Sequence, residues 1–185
     1  MAEELEMKYK LIPIGPRTGE TKSEEFTQIN PKQKIPALED SEIKLSESLA
    51  ICRYLQRNFK SKNIFLPKNV KDIAKEDEWC NFIYGELDET SLYVMRRHYD
   101  LKDIYGESPI VVEACKKYLI RQLEVVENHL KLNQTVLEGG FGLADIFLIS
   151  CLDWAVFYEF SLPKNIADYR DRISSRSDYQ KAMKI

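Results

Sequence analysis

The chain has 185 residues, with 27 Lys and Arg against 30 Asp and Glu and a formal net charge of -3. It carries no run of basic residues interleaved with aromatics, which argues against nucleic acid as a partner, and no apolar stretch of about 18 residues, which argues against a membrane span. With 44% hydrophobic and 31% charged residues it is an ordinary folded composition, long enough for one large domain or two small ones.

In chain order, Met1-Ala-Glu-Glu-Leu-Glu is not a secretory leader, so a cytoplasmic address is expected. Tyr9 to Ile14 is short, apolar and proline-limited, the pattern of an edge strand. Ser23 to Gln28 reads as a short helix with Phe26 inward, stopped at Asn30-Pro31 because the residue before proline avoids the helical region. Ile35 to Leu38 and Ile43 to Leu45 read as two strands around the polar turn Glu39 to Glu42. Ser46 is a candidate N-cap, and Leu45, Leu49, Cys52 and Leu55 recur at helical spacing, so a helix is expected to about Phe59.

Beyond this point the pattern is helical. Residues 61–68 break the periodicity and read as a linker. Val70 to Tyr99 reads as a long helix bearing Trp79, Phe82, Ile83, Leu87, Leu92 and Met95, with a bend near Gly85. Gly106-Glu107-Ser108-Pro109 places proline at the start of the next helix, whose apolar face runs Val112, Cys115, Leu119, Leu123, Val126 and Leu130. Leu143 to Tyr158 is apolar nearly all round, which marks a buried helix. Gly142 is its expected N-cap, Asp145 its third residue, and Phe141 with Ile146 a hydrophobic staple. Ser177-Asp-Tyr-Gln180 reads as a capping box before a terminal helix. The cysteines Cys52, Cys80, Cys115 and Cys151 are widely spaced within apolar helical patterns, which predicts reduced core thiols. His98 and His129 lack partners at ligand spacing, so no metal is expected.

One constellation carries chemistry. In Asn30-Pro31-Lys32-Gln33-Lys34-Ile35-Pro36-Ala37-Leu38, Pro36 cannot donate to a ladder, so the strand keeps a free edge there, where a cis bond fits. Glu47-Ser48 then opens a helix whose amides and hydroxyl suit a small carboxylate. Together they are suited to an extended, short anionic peptide. Read structurally instead, Glu47 and Ser48 are helix-capping chemistry and Lys34 a solvated strand lysine.

Asn30 to Leu38, with Ser46-Glu47-Ser48-Leu49-Ala50-Ile51, resembles the thioredoxin-like half of glutathione transferases, nearest to the theta and bacterial groups. Glu86-Leu87-Asp88 with Tyr93, and Gly142-Leu143-Ala144-Asp145-Ile146, resemble the helical half of the same enzymes. The resemblance implies an α/β plus all-α fold: an incomplete thioredoxin-like glutathione-binding domain over 1–60, a linker over 61–68 and a glutathione-transferase-type helical bundle over 69–185. It implies a cytoplasmic detoxification enzyme, commonly a homodimer, that conjugates reduced glutathione, a substrate rather than a resident cofactor, to small hydrophobic electrophiles.

Residue by residue, the resemblance assigns Ile35 to backbone pairing with the cysteinyl part of glutathione and Pro36 to the shape of that strand. Glu47 and Ser48 take the γ-glutamyl ammonium and carboxylate, and Lys34 the glycine carboxylate, with Thr21 and Lys22 as weaker candidates for that end. Tyr84, Tyr93 and Arg97, with Arg96 and His98 nearby, fall where the family lines its electrophile pocket between lobes, and Asp145 is structural. In the family a cap of Ser or Thr pairs with this Asp, so Gly142 is a departure. The family's first strand, and the loop whose Tyr, Ser or Cys stabilises the thiolate, have no counterpart in the match. Tyr9 and Ser23 correspond to later elements, so no catalytic residue is assigned. A non-catalytic binding or assembly module is the alternative.

Overall fold

The computed structural model describes all residues, Met1–Ile185. They form two compact units, Met1–Lys62 and Asn63–Ile185, and each is built on its own logic.

The first unit holds a two-stranded antiparallel sheet and short helices. α1 (Glu24–Ile29) starts where expected, because the Ser23 hydroxyl accepts from the Phe26 amide at 3.1 Å, and Phe26 is buried on its inner face. Strands β1 (Ala37–Glu39) and β2 (Lys44–Ser46) pair Ala37 with Ser46, Leu38 with Leu45 and Glu39 with Lys44. Asp40 closes the turn: its Oδ1 accepts from the amides of Glu42 (2.8 Å) and Ile43 (2.9 Å). Its Oδ2 accepts from the Tyr54 hydroxyl on α2 (Ser48–Asn58) at 2.7 Å. α2 packs on both strands through Ile51 and Leu55.

Two expectations for this unit fail. Tyr9 to Ile14 is irregular chain rather than an edge strand. Pro13 has no N–H, the sheet pairs only β1 with β2, and Tyr9, Leu11 and Ile12 are exposed. Without a neighbouring strand, the backbone polar groups are satisfied better by water than by an extended ladder. Ser46 is not the cap of α2 but the last residue of β2, and Glu47 occupies the N-cap position with φ 72 and ψ 120.

The second unit is helical. α3 (Val70–Phe82) is capped by Asn69, whose side chain accepts from the Asp72 amide at 2.9 Å. At Ile83 the chain passes into a wide, π-type winding over Ile83–Tyr93, which contains Gly85, and then into α4 (Val94–Tyr99). The Ser91 hydroxyl donates to the Glu86 carbonyl five residues back at 2.6 Å, within this looser winding. α5 (Lys102–Tyr105) is a single turn. α6 (Pro109–Leu130) begins with proline at its first position and buries all six residues of the expected stripe.

α7 (Leu143–Phe157) packs against the wide winding, α3 and α8 (Lys164–Ser174). Leu143, Leu148, Leu152 and Ala155 are sealed, whereas Ser150 and Val156 are exposed and Phe157 is 72% exposed, so the burial expected all round holds for one face only. α8 has Pro163 at its N-cap position and so no capping side chain of its own; the Glu127 carboxylate from α6 accepts from the Asn165 amide (3.3 Å) and the Ile166 amide (3.0 Å) instead. α9 (Ser177–Ala182) places Ser177 in its first turn with Arg176 at the cap, so the expected capping box does not form.

Residues after Lys62 that read as linker are fastened to this unit: the Phe65 amide donates to the Phe141 carbonyl at 2.7 Å and Ile64 is buried. All four cysteines are free thiols, and burial pushes Cys52, Cys115 and Cys151 above the ordinary thiol range. No helix is long and apolar enough to cross a membrane.

Candidate functional site

In the first unit, four of the five expected ligand residues flank one end of the hairpin in sequence, Ile35 and Pro36 just before β1 and Glu47 and Ser48 just after β2. Because Ala37 pairs with Ser46, the Ile35–Pro36 and Glu47–Ser48 segments leave the ladder at the same end of the hairpin. The ladder stops at that point, and the Ile35–Pro36 peptide is cis. Ile35 lies at a bend just before β1 and is 44% exposed. Lys34 is also exposed, and its carbonyl is anchored by the Asn30 side-chain amide at 2.6 Å. Of the weaker candidates, Thr21 is buried and turned away from solvent, while Lys22 is exposed.

Ser48 is the first residue of α2, so its amide and the next two precede the first intrahelical donor, Ile51, which bonds the Glu47 carbonyl at 3.0 Å. These open amides and the Ser48 hydroxyl at the positive end of the helix make a seat for a carboxylate. Glu47 holds a left-handed backbone that costs a non-glycine residue on the order of 1–3 kcal/mol, and its carboxylate forms an ion pair with Lys32. Sequence reasoning missed Lys32. Its place follows from Asn30, whose Oδ1 accepts from the Lys32 amide at 3.1 Å and whose carbonyl accepts from Gln33 at 3.0 Å, a tight turn that Gln33 completes at φ 55. An Asn-Pro turn was visible in the sequence, but its reach across to Glu47 was not.

The two hydroxyls nearest the start of the chain are engaged elsewhere. The Tyr9 hydroxyl donates to Glu3 at 2.7 Å, a bond that raises its pKa, and the Ser23 hydroxyl caps α1.

In the helical unit, Arg97 stacks on Tyr93 at 4.5 Å and also faces Tyr105 at 5.6 Å, and its Nε is buried without a hydrogen-bond partner. Tyr84 is exposed nine residues before Tyr93. Both residues fall in the wide winding over Ile83–Tyr93. Asp88 lies between them in the chain, within the Glu86-Leu87-Asp88 motif, where sequence reasoning gives it no role. Burial, with Glu89 adding to it, pushes its carboxyl up to about 6. Arg96 lies over Trp154 at 5.8 Å, and the ring nitrogens of His98 and His129 each face a backbone carbonyl, Gly106 at 2.9 Å and Val136 at 3.0 Å.

Asp145 is fully buried at the start of α7. Its Oδ2 accepts from the Gly142 amide at 2.9 Å, and its Oδ1 accepts from the Val136 amide and the Tyr169 hydroxyl, both at 2.8 Å. Burial pushes its carboxyl upward while the three donors oppose that shift. Phe141 lies under the Arg176 guanidinium at 3.9 Å.

Two family models match the chain, the glutathione S-transferase N-terminal domain over residues 1–57 and the C-terminal domain over residues 86–177. A glutathione S-transferase theta-1 from Bos taurus is 30% identical over 145 residues, 77% of this chain and 60% of that protein. The matched part therefore spans about three-fifths of the relative's length. The apo structure of human glutathione S-transferase T1-1 superposes with a TM-score of 0.85 at 25% identity, covering 99% of this chain and 80% of that one. A glutathione transferase homologue from Lodderomyces elongisporus, solved with two GSH per subunit, has a TM-score of 0.88 at 19% identity over 99% of this chain and 89% of that one, a likeness of fold alone.

Proposed function

Because the chain belongs to the glutathione S-transferase family, with theta-class relatives among its matches, we propose that its thioredoxin-like part, residues 1–60, binds reduced glutathione for conjugation to small hydrophobic electrophiles. The observation that supports this reading is the pairing of Ala37 with Ser46, which ends the ladder where the cis Ile35–Pro36 peptide enters and the Glu47–Ser48 corner leaves. An extended tripeptide lies along the Ile35–Pro36 segment and pairs with the Ile35 backbone. Its γ-glutamyl carboxylate sits on Ser48 and the amides of α2, its ammonium on Glu47, and its glycine carboxylate near Lys34. Tyr84, Tyr93 and Arg97 are the proposed contacts for the electrophile, with the Arg97 guanidinium attracting an anionic leaving group.

The family's reaction needs the thiol as its anion, and a cysteine thiol with a pKa near 8.5 is mostly protonated at neutral pH without a stabilising donor. Tyr9 and Ser23 are occupied by Glu3 and by α1, and this favours a second reading for these 185 residues: glutathione binding without turnover. A cytoplasmic homodimer is part of the same proposal.

Calorimetric titration with reduced glutathione, on the unaltered chain and on Glu47→Ala and Ser48→Ala, tests it together with a chlorodinitrobenzene conjugation assay. Binding that weakens about tenfold or more in each variant is expected, since each loses a charged or charge-assisted hydrogen bond. No binding by the unaltered chain overturns the reading. Conjugation activity supports the enzyme, and binding without it supports the module.

A further inference from the structure

We infer that Lys32 is a specificity determinant that reads the zwitterionic head of the ligand: it fills the ammonium seat at Glu47 in the empty site and transfers to the ligand's own α-carboxylate on binding. This rests on the glutathione reading above and adds a residue to it.

Three observations converge on Lys32. Its ammonium is paired with the Glu47 carboxylate, which is where an incoming ammonium has to go. The turn around Asn30 holds the Lys32 backbone through the Asn30 side chain, so the lysine is presented toward the corner. Both partners keep about half of their side-chain surface in water, 48% for Lys32 and 59% for Glu47, so the pair opens without unpacking a core. Beside it, the amides that open α2 and the Ser48 hydroxyl are the proposed seat of the α-carboxylate, one carbon from the ammonium.

An exchange of partners follows from the charges. The empty site has one ion pair, Lys32 with Glu47. A ligand head with ammonium and carboxylate on one carbon takes Glu47 with the first and offers the second to the displaced Lys32, so one pair becomes two and no charge is stranded. A head with only an ammonium breaks the pair and leaves Lys32 alone. A head with only a carboxylate leaves the pair in place and gains less.

Three ligands separate these cases: glutathione, γ-aminobutyryl-cysteinylglycine, which lacks the α-carboxylate, and glutaryl-cysteinylglycine, which lacks the α-ammonium. Calorimetry compares them on the unaltered chain, Lys32→Met and Lys32→Arg. Lys32→Met is expected to bind the ammonium-only ligand about two- to fivefold more tightly, because no internal lysine competes, and the carboxylate-only ligand more weakly by a similar factor, the size of an exposed ion pair. Lys32→Arg keeps the wild-type order. Shifts of opposite sign are the signature, since a purely structural role for Lys32 moves both ligands the same way. Equal ratios among the three ligands in wild type and Lys32→Met overturn the role of Lys32 while leaving glutathione binding standing. Failure of the unaltered chain to bind any of them overturns both readings.

Discussion

Replacing Asp145 by alanine removes one carboxylate and strands three buried donors, the amides of Val136 and Gly142 and the hydroxyl of Tyr169. A buried donor left without an acceptor costs about 1–3 kcal/mol, so three imply a gross loss of about 3–9. Two effects reduce it: the variant no longer buries a carboxyl that its surroundings already push upward, and the space vacated admits water to some of the donors. A net loss of about 3–5 kcal/mol is expected, as for breaking a buried charged network.

Asp145→Asn keeps the shape and one carbonyl acceptor, and is expected to cost about 1–3 kcal/mol. Tyr169→Phe removes one donor cleanly and is expected to cost about 1 kcal/mol. Urea denaturation followed by tryptophan fluorescence is the assay, because Trp79 and Trp154 both lie in the helical unit. At a slope of about 2–3 kcal/mol per molar, the alanine variant moves the midpoint by about 1–2.5 M. A shift under about 0.3 M, or an asparagine variant as damaged as the alanine one, refutes the reasoning that Asp145 acts as a shared acceptor.

Asp88 gives a pH-dependent expectation. Its folded carboxyl titrates at about 6, above the unfolded value of about 3.9, so the native state holds the proton more tightly, and stability falls as pH rises between those values. Asp88→Asn is therefore expected to raise the thermal midpoint at pH 7.5 and to have little effect at pH 4; an equal effect at both pH values would contradict this. Glu127→Ala is expected to destabilise α8 by about 0.5–2 kcal/mol, the range for a lost N-cap, with faster amide exchange at Asn165 and Ile166 as its local mark. Unchanged exchange there would show that Glu127 is not the cap.

The sequence was most informative where one local rule acts without competition. The stripe from Val112 to Leu130 is buried as its spacing required, Ser23 caps α1 through its hydroxyl, and Asp145 stands third in α7 and bonds the Gly142 amide. It was least informative where a second segment decides. Tyr9 to Ile14 has a strand's composition, but a strand exists only with a neighbour, and composition does not supply one. Ser46 suits a cap, yet pairing with Ala37 holds it in the sheet and moves the helix start to Ser48. The widened winding at Ile83–Tyr93 has no local signature, since the same apolar residues fit ordinary α-helical spacing. Of the candidate site, the edge and the corner were legible as motifs, whereas the pairing of Lys32 with Glu47 depends on a fifteen-residue contact that only the folded turn creates.

The single carboxylate of Asp40 ties the hairpin turn to Tyr54 on α2. The Glu47–Ser48 corner is the hinge between those two elements, and the tie denies it independent swing. The backbone of the corner is thus held in place by the fold, and if it binds glutathione as proposed, the rearrangement left for binding is the side-chain exchange at Glu47 rather than an ordering of the chain. Affinity at this corner is accordingly expected to show itself in the rate of escape more than in the rate of capture.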